Sequence, residues 1–490
     1  MPRLKLTRHQ AGRLAMIVAA VTGCPDGVTR PTAIARLDIL AGDTAGVVGT
    51  ALQFSAVAYD SAGRVVGDAR ITWTSLDTTR ARVNALTGLV WLGPNPGDAL
   101  VIAAEPRSGA ADTVSVHAAA EGEVRWTFSV TGQMNNMAGP AIGPDGTIYV
   151  LSVPFPGTQE VADVHALSAS GVPRWSLRID RTSANGLLVA PDGTVYVTGR
   201  TVRAISPDGG TRWEHILAGA SSSAFIVGAV GMSGPLIVAG EDSPIALDRL
   251  TGDTAWVGPV SPVGAWLVPP TLVGGTAWIK RTADSLFAFD VGTGAIRRRI
   301  AEPDSGVADL AFGAGPVPVG ASLYVPTAFR LGCVDTAGTF FWATDYRGRG
   351  VSEPVVDAVG NLYLQMQGDG LVRRDPASGV VVWRRPALRQ RWAWHGGPAL
   401  AQGGVIYAAG IDGFFAYDTA GQQRWAFQTD EGTGTLVPFV GAPGIGADGT
   451  IYTNSETRVY AFWAAHPAES QSPWPMWRGN AQRSGVARSR

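Results

Sequence analysis

The side chains able to do chemistry are few and scattered. The six histidines, His9, His117, His165, His215, His395 and His466, form no His-x-His or His-Glu-x-x-His pair of the kind that holds a metal. There is no Gly-x-Ser-x-Gly nucleophile elbow, and no glycine-rich loop ending in Lys that would cradle a phosphate. No catalytic residue and no metal ligand is therefore assigned. Aspartates such as Asp145, Asp192 and Asp448 stand in turn sequences, where turn formation already accounts for them. Of the two cysteines, Cys24 and Cys333, the second has no partner for a disulfide within the mature chain and reads as a buried, inert strand residue. One cluster offers binding chemistry: Arg389, Arg391, Trp392, Trp394 and His395, whose indoles and guanidiniums could stack on a sugar, an aromatic group or a peptide. Strand packing with solvated arginines is the plainer reading of the same residues. Asn135 and Asn136 make a second, weaker candidate.

The elements that must position these groups are strands. Gly 63 and Pro 32 punctuate the 490 residues with turns, Trp 16 supplies bulky packing groups, and only 16% of residues are charged. A formal net charge of −1 and the absence of a basic stripe exclude a nucleic-acid groove.

One spacing dominates. Gly122-x-x-x-Trp126 recurs as Gly171…Trp175, Gly209…Trp213, Gly252…Trp256, Gly338…Trp342, Gly379…Trp383 and Gly421…Trp425, while Gly294…Arg298 keeps the register with another side chain. The copies lie 38 to 49 residues apart, a period that suits four short strands and their turns. A second signature, Asp-Gly-Thr-Ile/Val-Tyr at 145–149, 192–196 and 448–452, marks a hairpin upstream of the first signature. Such units cannot bury both faces alone, and radial packing solves the problem. The expectation is an eight-bladed β-propeller over 120–490, ending in a C-terminal tail. Trp126, Trp175, Trp213, Trp256, Trp342, Trp383 and Trp425 would be its blade-packing residues. The first Gly-x-x-x-Trp strand precedes any complete unit and the last unit lacks one, so the first strand should complete the eighth blade.

Ahead of the repeats, Arg3, Lys5, Arg8 and Arg13 precede a short apolar run and then Val21-Thr-Gly-Cys24, which resembles the lipobox of bacterial lipoprotein precursors. That resemblance implies a signal peptide over 1–23, acylation of Cys24, a linker over 24–30 and a lipid anchor in the cell envelope, with the outer membrane favoured because Pro25 follows the cysteine. An ordinary secretory signal with an incidental Cys24 is the other reading. Residues 31–119 read as short strands around Trp73 and are similar to the bacterial immunoglobulin-like (group 2) family, a spacer or adhesion β-sandwich without catalytic residues.

The combined repeat, with Pro473-Trp-Pro-Met-Trp-Arg-Gly-Asn480 near the end, resembles the pyrroloquinoline-quinone-like (quinoprotein-type) propellers. The fold class expected is all-β, a small immunoglobulin-like sandwich followed by an eight-bladed propeller. Functionally the resemblance admits three readings. The favoured one is a non-catalytic, monomeric envelope lipoprotein whose propeller binds a protein or glycan. The second is a protein like the outer-membrane assembly factors. The third, a quinone-dependent dehydrogenase, would need pyrroloquinoline quinone, calcium and adjacent cysteines; with Cys333 alone left in the mature chain, neither cofactor is expected.

Overall fold

The computed structural model describes residues 33–134, 139–153, 161–180, 186–217, 228–240, 242–260, 266, 269–281, 285–301, 314–326, 330–345, 351–385 and 397–487. The signal segment, Cys24, Asn135, Asn136 and the cluster Arg389, Arg391, Trp392, Trp394 and His395 lie outside the described residues.

The chain is all-β, as its turn-rich composition requires. Its first part is two four-stranded sheets. One runs Ile34–Ala41, Ala51–Asp60, Leu89–Leu92, Ala81–Val83, and the other Ala45–Val47, Ala111–Ala119, Gly97–Ala104, Thr72–Ser75. Alternating side chains from both sheets share one core, in which Trp73 lies buried 6.4 Å from Phe54 with Val101 and Val116 around it.

Eight further sheets follow, which we number as blades in chain order: 133–180, 186–216, 228–257, 271–301, 317–345, 355–385, 399–427, and 444–462 completed by Val124–Ser129. The eighth closes the ring. Val124–Ser129 pairs antiparallel with Arg458–Phe462, matching Trp126 to Ala461 across more than three hundred residues of chain. Inner and middle strands are buried on both faces, as in Gly186–Val189 and Val195–Thr198, whereas outer strands such as Pro173–Asp180 alternate between exposed and covered.

Local chemistry sets these hairpins. In blade one the Asp145 carboxylate accepts the Thr147 N–H at 3.0 Å and the Thr147 hydroxyl at 2.6 Å, while Gly146 takes φ +78°, the left-handed geometry the tight turn needs. Between third and outer strands every blade also carries a register shift one residue beyond the partner of Trp or Arg298. That partner is alanine in six blades. Cys333 fills the same place opposite Trp342, and burial pushes its thiol up to about 11.

Candidate functional site

The motif residues act between copies rather than within one. The Trp126 indole packs on Gly171 of the next motif, where a Cβ would lie 2.5 Å from the ring. The same contact joins Trp175 to Gly209, Trp213 to Gly252, Trp256 to Gly294, Trp342 to Gly379 and, closing the ring, Trp425 to Gly122. Two interfaces differ: Gly338 faces Ile300 and Gly421 faces Arg385.

Six of the seven indoles also donate a hydrogen bond to a turn carbonyl of the following blade. Trp126 reaches Ala169 O (2.9 Å), Trp175 Pro207 O (2.8 Å), Trp213 Arg249 O (2.9 Å), Trp256 Val291 O (2.9 Å), Trp342 Pro376 O (2.9 Å) and Trp383 Thr419 O (3.1 Å). Arg298, the variant copy, sends Nη1 to Ala337 O at 2.6 Å and so preserves the donor. Trp425 breaks the pattern, since its buried Nε1 has no acceptor.

A signal at the position before Trp went unread in the sequence. Arg125 donates to Asp448 and Thr450, Arg174 to Asp145 and Thr147, and Arg212 to Thr194, each clamping its outer strand to the Asp-Gly-Thr turn of its own blade. Arg424 occupies that position in blade seven, whose turn reads Gln402-Gly403-Gly404, and it pairs instead with Glu121 at 3.6 Å. His466 reaches the same carboxylate at 3.1 Å. Glu121 belongs to the segment joining sandwich to propeller. There His117 places Nδ1 2.7 Å from Asp98 and Nε2 2.7 Å from Glu123, tying the last sandwich strand to the start of the closing strand. Burial pulls the His117 pKa down, but the bonds and charges of the two carboxylates outweigh it and leave the pKa above its ordinary value.

The axis of the ring is occupied by the chain's own C-terminal segment. Trp474 O accepts from Val356 N of blade six, Pro475 O from Leu400 N of blade seven, and the Met476 sulfur from Ile445 N of blade eight. The segment continues around: Ala481 O takes Ile142 N of blade one, Gln482 O Val189 N, Ser484 O Val230 N, and Gly485 O Leu272 N of blade four. Seven inner strands are thus capped in sequence order. Inside this winding, Glu353, 1% exposed, accepts from the Trp474 indole (2.7 Å), the Arg478 N–H (2.7 Å) and the Gly315 N–H (3.1 Å). The Arg478 guanidinium lies 3.9 Å from Glu353 and donates to Gly228 O and Pro270 O, while Arg483 donates to Pro140 O and Ala442 O. Burial pushes the Glu353 carboxyl up and the Arg478 guanidinium down; their mutual attraction opposes both shifts. The sequence marks the tail as part of the resemblance, but nothing in it encodes the tail's path.

A closed ring of eight sheets, seven four-stranded and one five-stranded, built on one glycine–tryptophan register defines a β-propeller protein of the pyrroloquinoline-quinone-like repeat type. The chain belongs to the family described as outer membrane protein assembly factor BamB, which matches residues 160–308 and 288–475. No curated protein matches it. Among solved structures, BamB from Moraxella catarrhalis is 17% identical with a TM-score of 0.49, covering 69% of this chain and 96% of that one. A europium-containing methanol dehydrogenase is 13% identical with a TM-score of 0.51, covering 70% and 93%. The quinohemoprotein alcohol dehydrogenase from Comamonas testosteroni is 15% identical with a TM-score of 0.53, covering 69% and 76%. At such identities the two dehydrogenases share the fold with this chain and nothing more is implied.

Proposed function

We propose that this protein is a non-catalytic scaffold of the cell envelope, anchored through a lipid on Cys24, with the sandwich as a spacer and the propeller contacting protein partners as an assembly factor. The observation that carries this reading is the occupied axis. Trp474, Arg478 and Arg483 fill the centre, and the tail's backbone uses the inner strand edges blade by blade, which leaves the outer strands and loops for recognition. Membership of the assembly-factor family supports the same reading.

A calcium-bound quinone does not suit these residues. The fold would place it in the centre that the tail fills, Cys333 lies buried against Trp342, and among the described residues no three His, Cys, Asp or Glu side chains converge as ligands. Crosslinking in intact cells, followed by identification of captured envelope proteins, tests the scaffold. Reproducible capture of outer-membrane or envelope assembly proteins supports it. Quinone absorbance retained by the purified protein after incubation with pyrroloquinoline quinone and calcium, together with alcohol oxidation, would overturn it.

A further inference from the structure

The interface between blades seven and eight is the one place where the side-chain donor at the Trp position, indole or guanidinium, lacks its turn carbonyl. In blades one to seven the third and outer strands are joined by a turn, and that turn supplies the acceptor. In blade eight the two strands come from opposite parts of the chain, so no turn joins them. Gly122 N–H bonds to Trp463 O, Trp463 N–H bonds to Glu123 O, and the two segments then part towards sandwich and tail. The linker carbonyls are already engaged, Ala119 O by Val48 N and Ala120 O by Glu123 N.

What remains is a cleft of about 560 Å³ between sandwich and propeller, lined by Thr50, Glu121, Arg424, Trp425 and His466. Trp425, which lines the cleft, has a buried Nε1 without an acceptor, and behind it the hydroxyl of Tyr407, 0% exposed, is unbonded as well. Their rings are 5.8 Å apart, and the charges of Glu121 and Arg424 both act on the Tyr407 hydroxyl. Unanswered buried polar groups are costly, and the indole N–H that faces the cleft can only donate. The single carboxylate, Glu121, is shared between the Arg424 guanidinium and the His466 ring.

We propose that this cleft is a binding site for a carboxylate, which replaces Glu121 on Arg424 and His466 and accepts from Trp425 Nε1. A peptide C-terminus and a free small acid both offer that group. The test is titration of the full-length, ¹⁵N-indole-labelled protein with N-acetylglycine, succinate and N-acetylglycinamide, with Trp425→Phe used to assign the signal. The Trp425 N–H resonance should shift saturably, while the bonded indoles of Trp126, Trp175 and Trp213 serve as internal references that stay in place. Arg424→Gln should weaken binding roughly tenfold or more. Preference for N-acetylglycine identifies a peptide terminus as the ligand, and preference for succinate identifies a small acid. An unmoved Trp425 signal at saturating acid, or an equal shift with the uncharged amide, overturns the proposal.

Discussion

Trp126 of the closing strand packs on Gly171, the glycine of the next copy of its own motif, and donates its indole N–H to Ala169 two residues before that glycine. Gly171 has φ +79°, and a Cβ there would stand 2.5 Å from the ring. Gly171→Ala therefore carries both a conformational and a steric penalty, about 2–4 kcal/mol together. Gly146→Ala separates the two, since Gly146 has φ +78° and open space around it, and should cost only about 1–2 kcal/mol. Denaturant midpoints of the two variants measure the difference; equal midpoints would mean that the indole contact adds nothing.

The extent to which this was legible follows from the range of each interaction. Turn dipeptides and the Gly-x-x-x-Trp spacing act over a few residues, so the all-β fold and its repeat could be read directly. The Arg before Trp in five copies, Arg125, Arg174, Arg212, Arg297 and Arg424, was an available signal, because each stands one residue before the Trp-equivalent position. Arg298 was readable only as a departure, although it retains the N–H that the interface uses. The tail's path was not readable. Its bonds join Arg483 to Pro140 and Arg478 to Gly228, and no periodicity encodes pairings so remote. Likewise the orphaned Trp425 looks like every other copy in sequence, and differs only because blade eight lacks a covalent turn.

Closure by Val124–Ser129 makes a second expectation. Deleting residues 123–130 removes the outer strand of blade eight, leaves the edge of Arg458–Phe462 unpaired and strips Gly171 of its indole. The deletion product should aggregate and become protease-sensitive. A monomeric, protease-resistant product on size-exclusion chromatography would refute this account of ring closure.

The buried pair on the axis supports a third. Arg478→Met leaves the Glu353 carboxylate without its guanidinium and removes donors from Gly228 O and Pro270 O, at an expected cost of about 3–5 kcal/mol. Combining it with Glu353→Gln removes the stranded charge, so the double variant should recover part of that loss. Thermal melts of both variants decide the matter; a double variant less stable than the single one would show that the charge pair is not the source of the penalty.

At the domain junction the carboxylates of Asp98 and Glu123 raise the pKa of His117 above 6.5 despite burial. A group whose folded pKa is raised contributes stability that is fully present below its unfolded value and is lost as pH rises through the folded one. Coupling between sandwich and propeller should therefore weaken as pH climbs above 6.5. Distance distributions between spin labels at Ser55 and Ser176 should broaden over that range, and His117→Gln should abolish the pH dependence.

Acid should act through the turns. Asp290 is held down to about 2, first by the Thr293 N–H and then by Arg297, and Asp145, Asp192, Asp248, Asp375 and Asp448 are lowered from their ordinary 3.8. For a depressed carboxylate the sign is opposite to that of His117: its contribution is present above 3.8 and is lost as pH falls through the folded value. Because equivalent turns recur around the ring, the losses accumulate within one pH window, and melting temperature should fall steeply between about pH 4 and pH 2. Asp290→Asn should flatten that slope in part while leaving stability at pH 7 lowered, since asparagine can still accept from Thr293 but cannot pair with the Arg297 charge. A melting curve for the wild-type protein that is level from pH 4 to pH 2 would show that these turn carboxylates do not stabilise the blades.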